Sequence, residues 1–117
     1  MTIIATRLTG PATLANAPAV IYTAPASSIV FIQSAVFANT DATGIHTITV
    51  YVVPSGGGIG AATTVVPKQS ISPSSTYKSS ELAGVVMNPG DTIEASADTA
   101  ALVTYTISGF VMGSSGT

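Results

Sequence analysis

The chain has 117 residues, the size of one common domain. Three basic and five acidic residues give a net charge of −2 and a charged fraction of 7%, where an ordinary soluble domain carries about one quarter. So few cations exclude a surface that neutralises a run of phosphates, and the absence of cysteine excludes disulfides and thiolate metal sites.

Taken in chain order, Thr2 to Leu8 reads as a short β-branched opening strand, followed by a Pro- and Ala-rich link from Gly10 to Pro18. Residues 1–18 are therefore expected to form an N-terminal arm, with 19–112 the body of the domain. Val20, Ile21 and Tyr22 form a second strand before Pro25. Ser28 to Ala38 is a long third strand, closed by the turn formers of Asn39 to Gly44. In the next strand, Ile45 to Val53, alternation puts His46, Ile48, Val50 and Val52 on the core face and Thr47, Thr49 and Tyr51 on the other. Pro54 to Gly60 is a glycine-rich loop, and Ala62 to Val66 a brief strand ended by Pro67. Residues 68–82 are Ser-rich and hold both lysines, an excursion with one edge strand. Asn88-Pro89-Gly90-Asp91 has proline and glycine where a type II turn needs them, and it launches Thr92 to Ala97. After Asp98-Thr99-Ala100 the last strand runs from Leu102 to Met112, leaving 113–117 as a frayed tail. No window keeps a 3.6-residue apolar period. The chain is expected to be all-β, a single antiparallel β-sandwich or jelly roll of about 7–8 strands.

Ala, Val and Ile dominate the 46% hydrophobic fraction, and with seven aromatics and no Trp the core is expected to be thin. Long stretches carry no charge at all, from Leu8 to Thr40, Ala42 to Pro67 and Thr99 to Thr117. A surface this poor in charge is expected to be covered by copies of the chain or by a partner. The stretch from Pro18 to Ala38 contains Pro18, Pro25, Ser27, Ser28, Gln33 and Ser34, so it reads as buried strands and no membrane contact is expected. Arg7 interrupts the only early apolar run, so no signal peptide is expected.

Motifs for chemistry are weak. Gly56-x-Gly58-x-x-Ala61 matches a dinucleotide fingerprint only as letters, because Thr63 to Pro67 cannot supply the helix it needs. His46 is the single histidine; a Ser-His-Asp set with Asp41, Asp91 or Asp98 is possible by counting, yet no Gly-x-Ser-x-Gly elbow occurs. Asp91 and Glu94 stand an odd number of positions apart and point to opposite faces of a strand, and Asp91 is expected to cap its turn. No catalytic, cofactor-binding or metal-binding residues are assigned and no cofactor is expected. The chain is read as a non-enzyme.

Three blocks carry a resemblance. The run Tyr22 to Thr40 enters through Thr-Ala-Pro-Ala and ends in Ala-Asn and a turn; Ile45 to Val53 is a threonine-rich strand leading into Pro54 and glycines; and Met87 to Ala95 holds the proline-glycine-aspartate turn and strand, followed by Ile107-Ser108-Gly109 in the last strand. These blocks resemble small β-sandwich virion structural proteins of tailed bacteriophages. The resemblance implies a structural component of the particle, assembled in the bacterial host cytoplasm. On this reading the chain is a capsid decoration or cement protein that bridges neighbouring shell subunits, with the major capsid protein or another virion protein as partner. It is expected to form a homo-oligomer, a trimer. A tail, fibre or adhesin-type binding module that recognises a host surface glycan is the alternative. Thr2, Ile3, Ile4, Ala5 and Arg7 are the candidate interface, because a strand with two apolar faces needs cover, and the arm is expected to add to a neighbour's sheet.

Overall fold

The computed structural model describes residues 2–113. Among these residues nine strands form two antiparallel sheets: β1 Thr2–Thr13, β2 Ala19–Thr23, β3 Ser28–Asn39, β4 His46–Val53, β5 Thr64–Ile71, β6 Thr76–Lys78, β7 Val86–Met87, β8 Thr92–Ala97 and β9 Val103–Gly113. The first sheet runs β1-β9-β3-β6, with β7 also pairing β3, and the second runs β2-β8-β4-β5. Apart from β4 to β5 and β6 to β7, which stay within one sheet, successive strands cross between layers, while first and last lie side by side, which is the jelly-roll order. The expected sandwich is present, with β6 and β7 as the short additions that raise the strand count.

The core lies between the inner faces and is built from inward-pointing apolar side chains: Val30, Ile32 and Phe37 on β3, Ile48 and Val50 on β4, Ile93 on β8 and Ile107 on β9 are all fully buried. Alternation in β4 holds through Val50 and then changes, so that Val53 is buried and Val52 only partly, opposite to the expected order. The pairing of β4 with β5 shifts register between Val50 and Tyr51, the irregularity that accompanies the change.

Two expected breakers do not break. Pro67 lies inside β5, because β5 is a sheet edge where a missing N–H faces solvent, and Pro67 with Lys68 forms a bulge opposite Thr49. Gly10 and Pro11 lie inside β1, which continues to Thr13 and, after register shifts between Arg7 and Thr9 and between Thr9 and Ala12, is still paired with β9 at Ala12↔Tyr105 and Thr13↔Thr104. The N-terminal segment accordingly folds back on its own sheet instead of standing off as an arm, and Leu14, 1% exposed, is a core residue. β1 thus belongs to the same two-sheet sandwich as β2 to β9. Gly113 ends β9, and 114–117 of the expected tail lie outside the described residues.

The sheets differ in reach. β1, β3 and β9 have 12, 12 and 11 residues, whereas no strand of the second sheet exceeds 8. At about 3.3 Å per residue the first sheet extends roughly 40 Å and outruns its partner layer, giving a molecule of 51 × 27 × 20 Å. The overhang is a wing made of the ends that meet at Thr2↔Gly113 and Ser28↔Gly113.

Candidate functional site

At the end of the sandwich opposite the wing, the loop after β3 and the loop after β8 close on the first residue of β4. Nδ1 of His46 lies 2.8 Å from Asp98 Oδ1, and Nε2 lies 2.8 Å from Asp41 Oδ2. His46 is 8% exposed. Hydrogen bonds accepted by Asp41 first and Asp98 second, together with their negative charge, hold the imidazole pKa above its ordinary value. Asp41 is lowered to about 2, chiefly because the Thr43 N–H donates to its carboxylate at 3.0 Å and secondly through His46. An imidazolium that donates to two carboxylates is a clamp. With both ring nitrogens engaged, neither is free to accept a proton from a serine, so the arrangement lacks the base that nucleophilic catalysis requires.

Asn39 supports the same corner from inside. It is 2% exposed; its amide donates to the carbonyls of Gly44 and Ile71 at 2.9 Å, and its Oδ1 accepts from the Asp41 N–H at 2.9 Å. Asp91 caps its turn as expected, accepting from the N–H of Asn88 at 2.9 Å and of Ser55 at 3.0 Å, while Gly90 takes φ +85°. The glycine-rich segment from Pro54 leads into a single 3₁₀ turn, Ala61–Thr63, and then into β5, without the phosphate-binding helix. Glu81 accepts from the Tyr77 hydroxyl, which lowers its pKa, while burial raises that of Tyr77. Among the described residues no group of three or more His, Asp or Glu is placed to hold a metal ion.

An open groove of about 290 Å³ crosses the outer face of the second sheet, lined by Thr47, Thr49, Lys68, Ser96, Ala97 and Asp98. Its lining combines three hydroxyls, one ammonium and one carboxylate with the methyl of Ala97, and holds no aromatic ring.

The wing has the opposite character. Directly paired residues share a face, so Ile3, Met112 and Ile29 form one outward row, and Ala5, Phe110, Phe31 and Val86 the next. Ile3 is 61% exposed, Val86 53% and Ile29 40%, and the Phe31 and Phe110 rings lie 6.3 Å apart. These two rows contain no charged residue. On the inner side Ile4 is 53% exposed beyond the reach of the second sheet, and Arg7 marks the inboard end of the exposed run. Of the expected interface residues, Ile3, Ala5 and Arg7 fall on the outer face and Ile4 on the inner. Thr2 pairs with Gly113 at the tip. The sequence pattern located the β1 part of this patch; the contributions of β3, β7 and β9 need the register.

No protein-family model and no curated protein matches the chain. Among solved structures, the fold is similar to that of a chain from the Bacillus endospore appendages, which form a novel family of disulfide-linked pili, at 20% identity and a TM-score of 0.55, covering 97% of this chain and 90% of that one. It is also similar to part of a chain of infectious bursal disease virus, Gx strain, at 12% identity and a TM-score of 0.54, covering 94% of this chain and 31% of that one. At these identities the likeness is one of fold.

Proposed function

We propose that this chain is a non-enzymatic structural subunit of a virion, a decoration or cement protein of the tailed-phage kind that strengthens a shell by bridging its subunits. The observation that carries the reading is the outward apolar face of the wing, two cross-strand rows without a charge on a chain already poor in charge. Such a face in water is a contact surface awaiting cover. Burying it on a shell adds contact area without any chemistry, in keeping with a His-Asp pair of loops that works as a clamp. The resemblance of three sequence blocks to phage virion proteins supports the same reading. So does the fold, which recurs in a pilus and in a virus.

The polar groove over β4, β5 and β8 favours a second reading, an adhesin that takes a host glycan through hydroxyl contacts. Antibody-labelled particles viewed by electron microscopy separate the two. A decoration protein gives label over the whole shell, whereas label confined to the tail gives the role to the adhesin and rejects cement.

A further inference from the structure

The two sheets present four edges, and three of them are closed to a newcomer. On β5, Pro67 removes a donor and Lys68, at φ +43°, puts a bulge and a charge on the rim. The β6 and β7 side is broken into strands of three and two residues and carries Lys78 and Glu81. β2 has five residues, and its Ile21 carbonyl already accepts from Thr9 Oγ1 at 2.8 Å. Proline, lysine, bulges and shortness are the devices that keep a sheet edge from pairing. β1 lacks them over its first half. Ile3, Ile4, Ala5, Thr6 and Arg7 are all exposed, one side of the strand is paired with β9, and residues 2–6 carry no charged side chain.

We propose that the free edge of β1 pairs with β1 of a second copy of this chain, antiparallel about a two-fold axis, to make one continuous sheet from two first sheets. This deepens the structural-subunit reading and rests on it. The second copy is chosen over another protein because the segment is its own complement: apolar on both faces, it gives a foreign strand no charge to recognise. The symmetry follows from the edges. Head-to-tail addition needs two different open edges, and among the described residues only one is open, so pairing has to be isologous. A two-fold therefore replaces the three-fold expected from the sequence. With the axis perpendicular to the sheet, the outer rows of both copies fall on the same side. The Phe31, Phe110 and Val86 surfaces then flank a central strip of Ile3 and Ala5 from each copy, a doubled apolar face for a shell.

Because the chain has no cysteine, single substitutions report on the axis directly. Full-length Ile3→Cys, Ile4→Cys and Ala5→Cys are oxidised mildly and run without reductant. Paired strands bring opposed Cα atoms about 4.5–5.5 Å apart, within disulfide reach, so the variant nearest the axis is expected to give a covalent dimer, and Gln69→Cys on the guarded β5 edge is not. In parallel, light scattering is expected to find a dimer for the parent chain and a rise in its dissociation constant of roughly 100-fold for Ile4→Lys with Ala5→Lys, since juxtaposed like charges oppose association, with the circular dichroism of a β protein unchanged. An oligomer that survives the lysines, with no cysteine cross-linking, overturns the edge pairing and leaves the structural reading standing. A monomeric parent whose particle attachment is lost with the lysines overturns the second copy as occupant in favour of a shell protein. A monomeric parent that attaches to no particle overturns both.

Discussion

The Asn39 side-chain amide donates to the main-chain carbonyl of Ile71 at 2.9 Å, joining the end of β3 in one sheet to the end of β5 in the other. The same NH₂ group meets the carbonyls of Gly44 and Ser72, so its role is that of a donor to three acceptors. Asn39→Asp keeps the shape and replaces that donor by a carboxylate facing carbonyl oxygens. Leaving buried acceptors unpaired and adding a charge among them is expected to cost about 3 kcal/mol, read as a lower urea midpoint. Asn39→Ser, smaller and still polar, is expected to cost less. Equal stability of Asn39→Asp and the parent chain would remove this strap from the account.

The His46 clamp predicts a stability optimum on the acid side of neutrality. His46 has a raised pKa in the fold, so its contribution is complete below the unfolded value of about 6.5 and is lost as pH climbs through the folded value. Asp41, lowered to about 2, contributes above its ordinary 3.8 and loses that contribution as pH falls toward 2. Thermal melts of the parent chain are therefore expected to be highest between about pH 4 and 6.5. His46→Gln should flatten the alkaline arm of that profile. The charged neighbours are Asp41 and Asp98, with Lys68 across the groove from Asp98. A parent profile with no fall on its alkaline side contradicts an imidazolium clamp.

Leu14, between β1 and β2, is 1% exposed in the core, and its N–H donates to the Val103 carbonyl at 2.8 Å. Leu14→Ala is expected to destabilise by about 2–5 kcal/mol, as for other buried leucines, measured by chemical denaturation. A loss below that range would mean that the segment is not anchored. The same contact dictates how truncations are cut: removing residues 2–14 takes out a core side chain, whereas removing 2–6 tests the wing alone.

In β9, Gly109 has a neighbour on each side, pairing with Thr6 and Ile32, and Gln33 bulges out of β3 beside it. A Cβ at 109 would overlap the Phe31 carbonyl oxygen and stand 3.0 Å from the Gln33 nitrogen, both main-chain atoms that no rotamer change can move aside. Gly109→Ala is expected to cost about 3 kcal/mol through overpacking. Gly58→Ala, in open space, is the control and should be near neutral. A Gly109→Ala melt that overlays the parent would show that the ladder shifts freely there.

Much of the sandwich was legible because its signals are local. Alternation marked β4, the turn formers from Asn39 to Gly44 closed β3, Asn88 to Asp91 marked a turn, and Thr92–Ala97 follows it with the bounds read from the sequence. Pro67 and Pro11 misled because the cost of proline depends on whether its neighbour strand exists on that side, which a linear pattern does not carry. The clamp was half legible. Asp41 lies five residues from His46, but Asp98 lies 52 away and reaches it only because β8 pairs with β4, the Asp98 N–H donating to the Thr47 carbonyl. Beyond Ile3 and Ala5 of β1, the wing rows were illegible for the same reason, since Phe31, Phe110 and Val86 become neighbours through register alone.

The bulge and overhang of the first sheet also bear on force. Ladder hydrogen bonds lie perpendicular to the strands, and β9 is gripped by β1 on one side and β3 on the other along almost its whole length. A pull directed along the 51 Å axis loads those two ladders in shear, so many bonds must yield together. A pull across the sheet peels β1 from its open edge one bond at a time. A subunit built this way is stiff in one direction and tears in the other, so how it is oriented on a strained surface decides how much tension it can bear.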